Sequence, residues 1–426
     1  MEKFIVKKSK GLSGQVKISG SKNAALPILA AALLCSEPVR IDNVPTLTDI
    51  DVMLDLLRCF GAEIKPCGGM LTIDCRNTVN SIPDYRVTKK IRASFLLAGA
   101  LLGRFGFCSL PLPGGCSIGL RPIDLHLKGF AAMGAKIATE HGLVTIKAKK
   151  LHGSSIYLDF PSVGATENIM LAAVLAEGRT FLNNCATEPE IVDLAGFLNA
   201  MGAKIEGAGT DSMTIEGVKE LHGCTYKIIP DRIEAGTYML MAAAVRDSEI
   251  RITNVIPQHI SPIIHKLTET GIQVITGDNF IRVISGREIH NTDIKTLPYP
   301  GFPTDLQAQF MALMTTGTGS GLVKETVFEN RFMYVAELNR MGADIKIDGR
   351  SAIVNGVKHL SGTNVKATDL RAGAALIIAA LTAEGQTEIG EICHIDRGYV
   401  NIEKKLTDIG VDIKRIKEGD DGECTE

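Results

Sequence analysis

Six times along the chain an amphipathic stretch ends in a glycine tetrad: GAEI at Gly61, GAKI at Gly134, GAKI at Gly202, GIQV at Gly271, GADI at Gly342 and GVDI at Gly410. Successive copies lie 68 to 73 residues apart. No other feature restricts the possible folds as much, because such spacing reads as internal duplication. Stretches such as DVMLDLLRCF and VDLAGFLNAM precede the glycines and β-like runs follow them, so each tetrad marks helix, glycine C-cap and strand. A second, more apolar helix lies upstream in every copy: NAALPILAAALL, RASFLLAGALLG, NIMLAAVLAEG, AGTYMLMAAAV, LQAQFMALMTT and AGAALIIAALTAEG. Helices that are apolar all round must be buried on every side. Short strands such as VRIDNV, RTFLNN, EIRITNV and TEIGEI follow them. The expected fold is therefore α/β, two domains of three units each, with helices inside and sheets outside. An α-solenoid fits poorly, because the strands are as regular as the helices.

The domain boundary is expected near Ile229 to Asp231, after the third unit, with a second crossing near Gly20 where the N-terminal strands close the C-terminal domain. That gives one domain over 21–229 and another over 1–20 plus 230–426, with the active site in the cleft between them. A chain of 426 residues is too long for one ordinary core. Its 46 basic and 48 acidic residues nearly cancel, which argues against a nucleic-acid or membrane-surface partner and makes any anion recognition local. Ten cysteines are scattered without a C-x-x-C pair or zinc spacing and read as reduced thiols of a cytosolic protein. The opening MEKFIVKKSK lacks the apolar core of a signal peptide, and the longest apolar run, Ala24 to Cys35, is too short to span a bilayer. The closing EGDDGECTE reads as a frayed polar tail.

Chemistry concentrates in two places. The stretch PLPGGCSIGLRPIDLH sets Cys116 in a glycine-rich turn five residues before Arg121, and a nearby guanidinium biases a thiol toward thiolate and reactivity. Gly114, Gly115 and Gly119 would let that segment act as a lid. The second place is the residue opening each apolar helix: Lys22, Arg92, Ser162, Asp231, Asp305 and Asp369, all 37 to 42 residues before a tetrad glycine. Helix N-termini offer free N–H groups and a positive dipole end. Thr304 and Thr368 are expected to be caps. Lys22 and Arg92 oppose the dipole and want an anionic partner, which Arg371 and Arg397 would share. Asp305 and Asp369 occupy equivalent places, and one of them is a candidate general base for a hydroxyl. The glycine-rich TTGTGSGLV falls after a helix and before a strand and reads as a turn. His126 and His394 show no partner spacing for a metal, and a surface or supporting role is expected for each.

Together SGSKNAALPILAAALL, PGGCSIGLRPIDLH, PSVGATEN, FPTDLQAQF, ETVFENRF, ATDLRAGA and HIDRGY resemble the UDP-N-acetylglucosamine 1-carboxyvinyltransferase family over nearly the whole chain. The resemblance implies a two-domain inside-out α/β barrel with three repeats per domain. It implies transfer of the enolpyruvyl group of phosphoenolpyruvate to the 3′-hydroxyl of UDP-N-acetylglucosamine with release of phosphate, the first committed step of peptidoglycan synthesis, in the cytoplasm. No metal or organic cofactor is expected. On matching positions, Cys116 resembles the general acid that protonates the methylene carbon and can also form a covalent adduct. Asp305 resembles the base or hydrogen-bond partner of the 3′-hydroxyl. Lys22, Arg121 and Arg397 resemble a cationic clamp on phosphoenolpyruvate, with Arg92, Arg331 and Arg371 lining the same pocket and Asp369 assisting proton traffic. Asn23, Arg121, Pro122, Ile123, Asp124, Leu125, Ser162, Val163, Gly164 and Val327 match nucleotide-sugar contacts. One departure is visible: Phe160 stands where several relatives place a lysine, which removes one diphosphate contact. Two alternatives stay open, the sister enzyme acting on shikimate 3-phosphate, which lacks the loop cysteine, and a catalytically inactive paralogue that binds UDP-sugar.

Overall fold

The computed structural model describes residues 2–79, 95–112, 123–286 and 288–417. The tetrad glycines explain how its helices end. All six adopt a left-handed φ between 90° and 100°, which a side chain rarely tolerates. In each case the amide after the glycine reaches back to a carbonyl in the last helical turn: Ala62 to Leu57, Ala135 to Phe130, Ala203 to Leu198, Ile272 to Leu267, Ala343 to Leu338 and Val411 to Leu406, at 3.0–3.1 Å. This hydrogen-bond closure turns the chain out of the helix and delivers it into the next strand.

Among the described residues the strands form six sheets. In one, Ser155–Tyr157 runs parallel to Arg179–Asn183, which pairs antiparallel with Ser212–Glu216, itself antiparallel to Lys204–Glu206. Alternation along Arg179–Asn183 puts Thr180 and Leu182 in the core and Arg179 and Phe181 outside, as one-sided sheets require. The N-terminal strands join sheets made by the far end of the chain. Ser13–Lys17 runs parallel to Glu249–Thr253, and Glu2–Lys7 lies antiparallel between Gln386–Gly390 and Ile413–Lys417.

The chain divides into two compact units. Among described residues, one holds 20–112 and 123–229, the other 2–19 and 230–417. In the first, the apolar helices Lys22–Ala31, Leu97–Phe105 and Val163–Ala173 are almost wholly buried. Gly99 is required there, since a Cβ would sit 2.2 Å from the backbone oxygen of Asn168. Asn168 instead accepts from the Gly99 amide at 2.7 Å and donates to the Phe95 carbonyl at 3.0 Å, so one helix caps the start of another. In the second unit Arg232–Ala244, Gln307–Met314 and Leu370–Thr382 fill the equivalent interior. Ser19 is fastened there by buried Glu234, which accepts its amide at 2.7 Å, and by Lys405, which bonds both Glu234 and the Ser19 hydroxyl.

Candidate active site

In the unit spanning 230–417, Asp305 stands in the 3-10 turn Thr304–Leu306 that leads into the helix Gln307–Met314. Two almost fully buried arginines hold its carboxylate. Arg371 Nη2 donates to Oδ2 at 3.0 Å, and Arg331 Nη2 lies 3.4 Å from Oδ1 while also reaching the Thr304 carbonyl at 3.3 Å. Asp305 keeps 29% of its side chain exposed, so its open edge faces solvent while the guanidiniums stand behind it. Burial favours loss of the Arg371 proton, but Tyr399 and the carboxylates of Asp305 and Asp231 outweigh it and hold the pKa above the usual arginine value. Arg371 Nε and Nη1 find no acceptor among the described residues.

Behind Asp305 lies a polar network inside an apolar helix. Gln309 Nε2 donates to the Asp305 carbonyl at 2.9 Å and to Tyr399 Oη at 3.1 Å, and Tyr399 in turn meets Thr237 Oγ1 at 3.1 Å. The sequence carried a signal for this that the reading above did not use. Gln307 and Gln309 are the polar interruptions of LQAQFMALM, and both are fully buried; buried amides demand partners.

The capping expectation needs correction. Thr304 Oγ1 donates to Glu325 Oε2 at 2.9 Å and does not cap its helix, and Thr368 Oγ1 is buried without a hydrogen bond among the described residues. The caps are carboxylates: Asp369 Oδ1 accepts from the amides of Arg371 and Ala372, and Asp231 Oδ1 from Ile233 and Glu234, at 2.8–3.0 Å. An anion gains from the dipole as well as from the hydrogen bond, so it outcompetes a neighbouring hydroxyl. Arg397 is the half-buried C-cap of the short helix Cys393–Asp396. Val327 donates its amide to Glu325 Oε1 at 2.8 Å. Glu391, Cys393 and His394 bring one ligand atom each within 4.8 Å of the others, a grouping that spacing alone did not single out.

In the unit spanning 20–229, Lys22 opens its helix just after the cap Ser21, whose side chain accepts from the Ala24 amide. Its Nζ lies 2.6 Å from Asp49 Oδ2, and the two side chains are 8% and 5% exposed. The anionic partner that a lysine at a helix N-terminus requires is thus supplied in part by the protein itself. Asn23 is half-buried on the same turn; Ile123 and Leu125 are half-buried, and Asp124 is exposed, at the start of the helix Asp124–Ala132. Ser162 caps Val163–Ala173 by accepting from the Ala165 amide, and its own amide donates to the Phe160 carbonyl, while the Phe160 ring is exposed. Gly164 leaves room for a ring, since a Cβ there would lie 3.2 Å from His126 Cε1. Arg92, Cys116, Arg121 and Pro122 fall outside the described residues.

His126 is more constrained than its sequence context suggested. Asn168 Nδ2 donates to its Nδ1 at 2.9 Å, which places the ring proton on Nε2, and the Phe95 ring meets it edge-on at 5.3 Å. The residue is half-buried, and the crowding protein atoms push its pKa down to about 4, against the milder opposing effect of Asp124. Since the unfolded chain binds the proton more readily, His126 contributes stability above its unfolded pKa that is lost as pH falls toward about 4. The expected result is that the parent loses roughly 1–2 kcal/mol relative to His126→Gln between neutral pH and pH of about 4. Urea midpoints of the two proteins across that range check it; parallel curves count against it.

The eight described cysteines are free thiols. Burial pushes Cys75 and Cys108 up to about 12, so these are inert packing groups. No described helix is long and apolar enough to cross a membrane.

The family model for EPSP synthase (3-phosphoshikimate 1-carboxyvinyltransferase) matches residues 6–406. The chain is 56% identical to UDP-N-acetylglucosamine 1-carboxyvinyltransferase 2 of Carboxydothermus hydrogenoformans, over 98% of this chain and 100% of the relative. It is also 56% identical to UDP-N-acetylglucosamine 1-carboxyvinyltransferase 1 of Caldanaerobacter subterraneus subsp. tengcongensis, over 97% and 99%. The enolpyruvyl transferase NikO of Streptomyces tendae superposes with a TM-score of 0.88 at 27% identity, covering 97% of this chain and 98% of that one. EPSP synthase of Acinetobacter baumannii, at 18% identity and a TM-score of 0.76 over 98% of this chain and 100% of that one, shares the fold. With motifs, fold and relatives in agreement, the chain belongs to the carboxyvinyltransferase family, in the branch whose members are named UDP-N-acetylglucosamine 1-carboxyvinyltransferase.

Proposed function

We propose that this chain transfers the enolpyruvyl group of phosphoenolpyruvate to the 3′-hydroxyl of UDP-N-acetylglucosamine, releasing phosphate, as the committed step of peptidoglycan synthesis. The 56% identity across 98% of the chain carries this reading. The pairing of Asp305 with two buried arginines supports it. In the addition step the 3′-oxygen bonds to C2 of phosphoenolpyruvate, its proton passes to Asp305, and C3 gains a proton from Cys116. In the elimination step C3 returns a proton to the Cys116 thiolate, the C2–O bond to phosphate breaks, and the enol ether and inorganic phosphate leave, the phosphate taking with it the proton held by Asp305. The negative charge of the phosphoenolpyruvate carboxylate and of the departing phosphate is matched by Lys22, Arg121 and Arg397, with Arg92, Arg331 and Arg371 adding to the field. Asp369, one of whose oxygens caps a helix, is assigned to proton traffic through the other. Asn23, Ile123 to Leu125, Ser162 to Gly164 and Val327 are assigned to the nucleotide sugar.

The same reading gives the architecture as six related units in a two-domain inside-out barrel, supported by six identical helix endings and six sheets. The eight free thiols fit a reducing, cytoplasmic setting. The test is phosphate release from phosphoenolpyruvate with either UDP-N-acetylglucosamine or shikimate 3-phosphate as acceptor. Turnover with the nucleotide sugar alone is expected. Turnover with shikimate 3-phosphate instead, or with neither, overturns the proposal.

A further inference from the structure

Glu325 follows the strand Ser320–Lys324 and is 1% exposed. A buried carboxylate ordinarily takes a cation, yet Glu325 forms no salt bridge among the described residues. Four neutral donors satisfy it instead. Its Oε1 accepts from Thr296 Oγ1 at 2.9 Å and from the amides of Val327 and Phe328 at 2.8 and 3.1 Å, and its Oε2 accepts from Thr304 Oγ1 at 2.9 Å. Its own amide is fixed to the Arg350 carbonyl at 2.8 Å. One carboxylate therefore ties its own following turn, which begins at Val327, to Thr296 and to the turn bearing Asp305, 29 and 21 residues earlier in the chain.

We propose that Glu325 is a positioning residue that sets the Thr304–Asp305 turn and the Val327–Phe328 turn in one fixed relation, so that the base and a nucleotide-sugar contact are aligned together. Thr304 immediately precedes Asp305, and its carbonyl is already held by Arg331, so the Glu325 bond to its hydroxyl leaves the turn little freedom to rotate. A carboxylate suits this place better than an amide. It accepts on both oxygens, whereas a glutamine keeps one acceptor and turns its NH2 either toward Thr304, whose hydroxyl must then reverse to accept, or toward the two backbone amides, which can only donate. Asp305 is reached from behind by Gln309 and from the side by two arginines, but those bonds do not involve the Val327 turn. Arg331 also touches both, its guanidinium lying 5.5 Å from the centre of the Phe328 ring, but among these residues it is Glu325 that hydrogen-bonds the backbone of the Val327 turn.

This inference rests on the assignment of Asp305 and Val327 to the reaction proposed above. Its test uses Thr304→Val, which cuts the single bond to the base-bearing turn, and Glu325→Gln, which leaves one acceptor oxygen where two turns each need one. Steady-state kinetics are measured with whichever acceptor the parent enzyme uses, so that a wrong choice of acceptor is exposed by the parent and not by the variants. Thr304→Val is expected to lower kcat about tenfold with KM for the acceptor within about twofold of the parent. Glu325→Gln is expected to lower kcat similarly and to raise acceptor KM about fivefold, with KM for phosphoenolpyruvate nearly unchanged. In an Asp305→Asn background neither substitution should lower kcat further, because both act through Asp305. Unchanged kcat in Thr304→Val, or an equal loss with and without Asp305, overturns the proposal even if Glu325→Gln fails to fold.

Discussion

Asp305→Asn lowers kcat by about a hundredfold to ten-thousandfold, the range expected when a general base is removed. The amide keeps the shape of the carboxylate but cannot take the acceptor proton. Its oxygen can still accept from Arg371 in place of Oδ2, which leaves its NH2 facing Arg331 Nη2 at the present 3.4 Å separation, donor against donor. A stability loss of about 1–3 kcal/mol accompanies the kinetic loss, because a buried guanidinium surrenders its counter-charge. The two effects separate in single-turnover phosphate release at saturating phosphoenolpyruvate, measured well below the unfolding transition. Asp305→Glu sharpens the comparison. It restores the charge but displaces the carboxylate by a methylene, and misplacement of about 1 Å costs on the order of a hundredfold in a preorganised site. Stability should therefore recover in Asp305→Glu while kcat does not. An Asp305→Asn enzyme within about tenfold of the parent rules out the base assignment.

The parts of the fold legible in the string are those fixed by local backbone chemistry. A glycine at a left-handed φ ends each amphipathic helix, and nothing distant is needed to require it. The run TTGTGSGLV reads as a turn for the same reason, and its first five residues, Thr315 to Gly319, do connect the helix Gln307–Met314 to the strand Ser320–Lys324 with Gly319 at φ 85°, while Ser320 to Val323 belong to the strand itself. Sites are different. Counting back from the tetrads located Lys22, Ser162, Asp231, Asp305 and Asp369 near helix starts, but it could not say which neighbouring side chain would cap. At Thr368–Asp369 the carboxylate accepts both amides, and at Thr304 the hydroxyl goes to Glu325, 21 residues away. The same blindness hid Asp49, Tyr399 and Asn168. Each meets its partner across elements separated in sequence, where periodicity carries no information. His126 stayed undistinguished because its environment is made by Asn168 and Phe95 from two other segments.

Lys22→Ala is expected to cost about 3–5 kcal/mol of folding stability, since it deprives a carboxylate that is only 5% exposed of its cation. Lys22 thus carries a structural charge beside any role toward substrate. It also complicates the obvious binding experiment, because a destabilised unit loses affinity for everything. A pair of variants separates the roles. Asp49→Asn strips the same ion pair while leaving the lysine charge, so its stability should fall comparably while phosphoenolpyruvate binding survives. Lys22→Met combined with Asp49→Leu removes both charges, and replacing a buried pair by apolar groups is often neutral or stabilising. The double variant should therefore recover much of the urea midpoint lost by Lys22→Ala. Its affinity for phosphoenolpyruvate should nonetheless stay low, because an anion at a helix N-terminus gains from the lysine charge and the dipole together. Calorimetry then reads the division. A loss confined to phosphoenolpyruvate, with nucleotide-sugar affinity near that of the parent, identifies Lys22 as part of the anion clamp. Equal losses for both ligands in the stable double variant refute that role and leave Lys22 as the counter-charge that allows Asp49 to be buried.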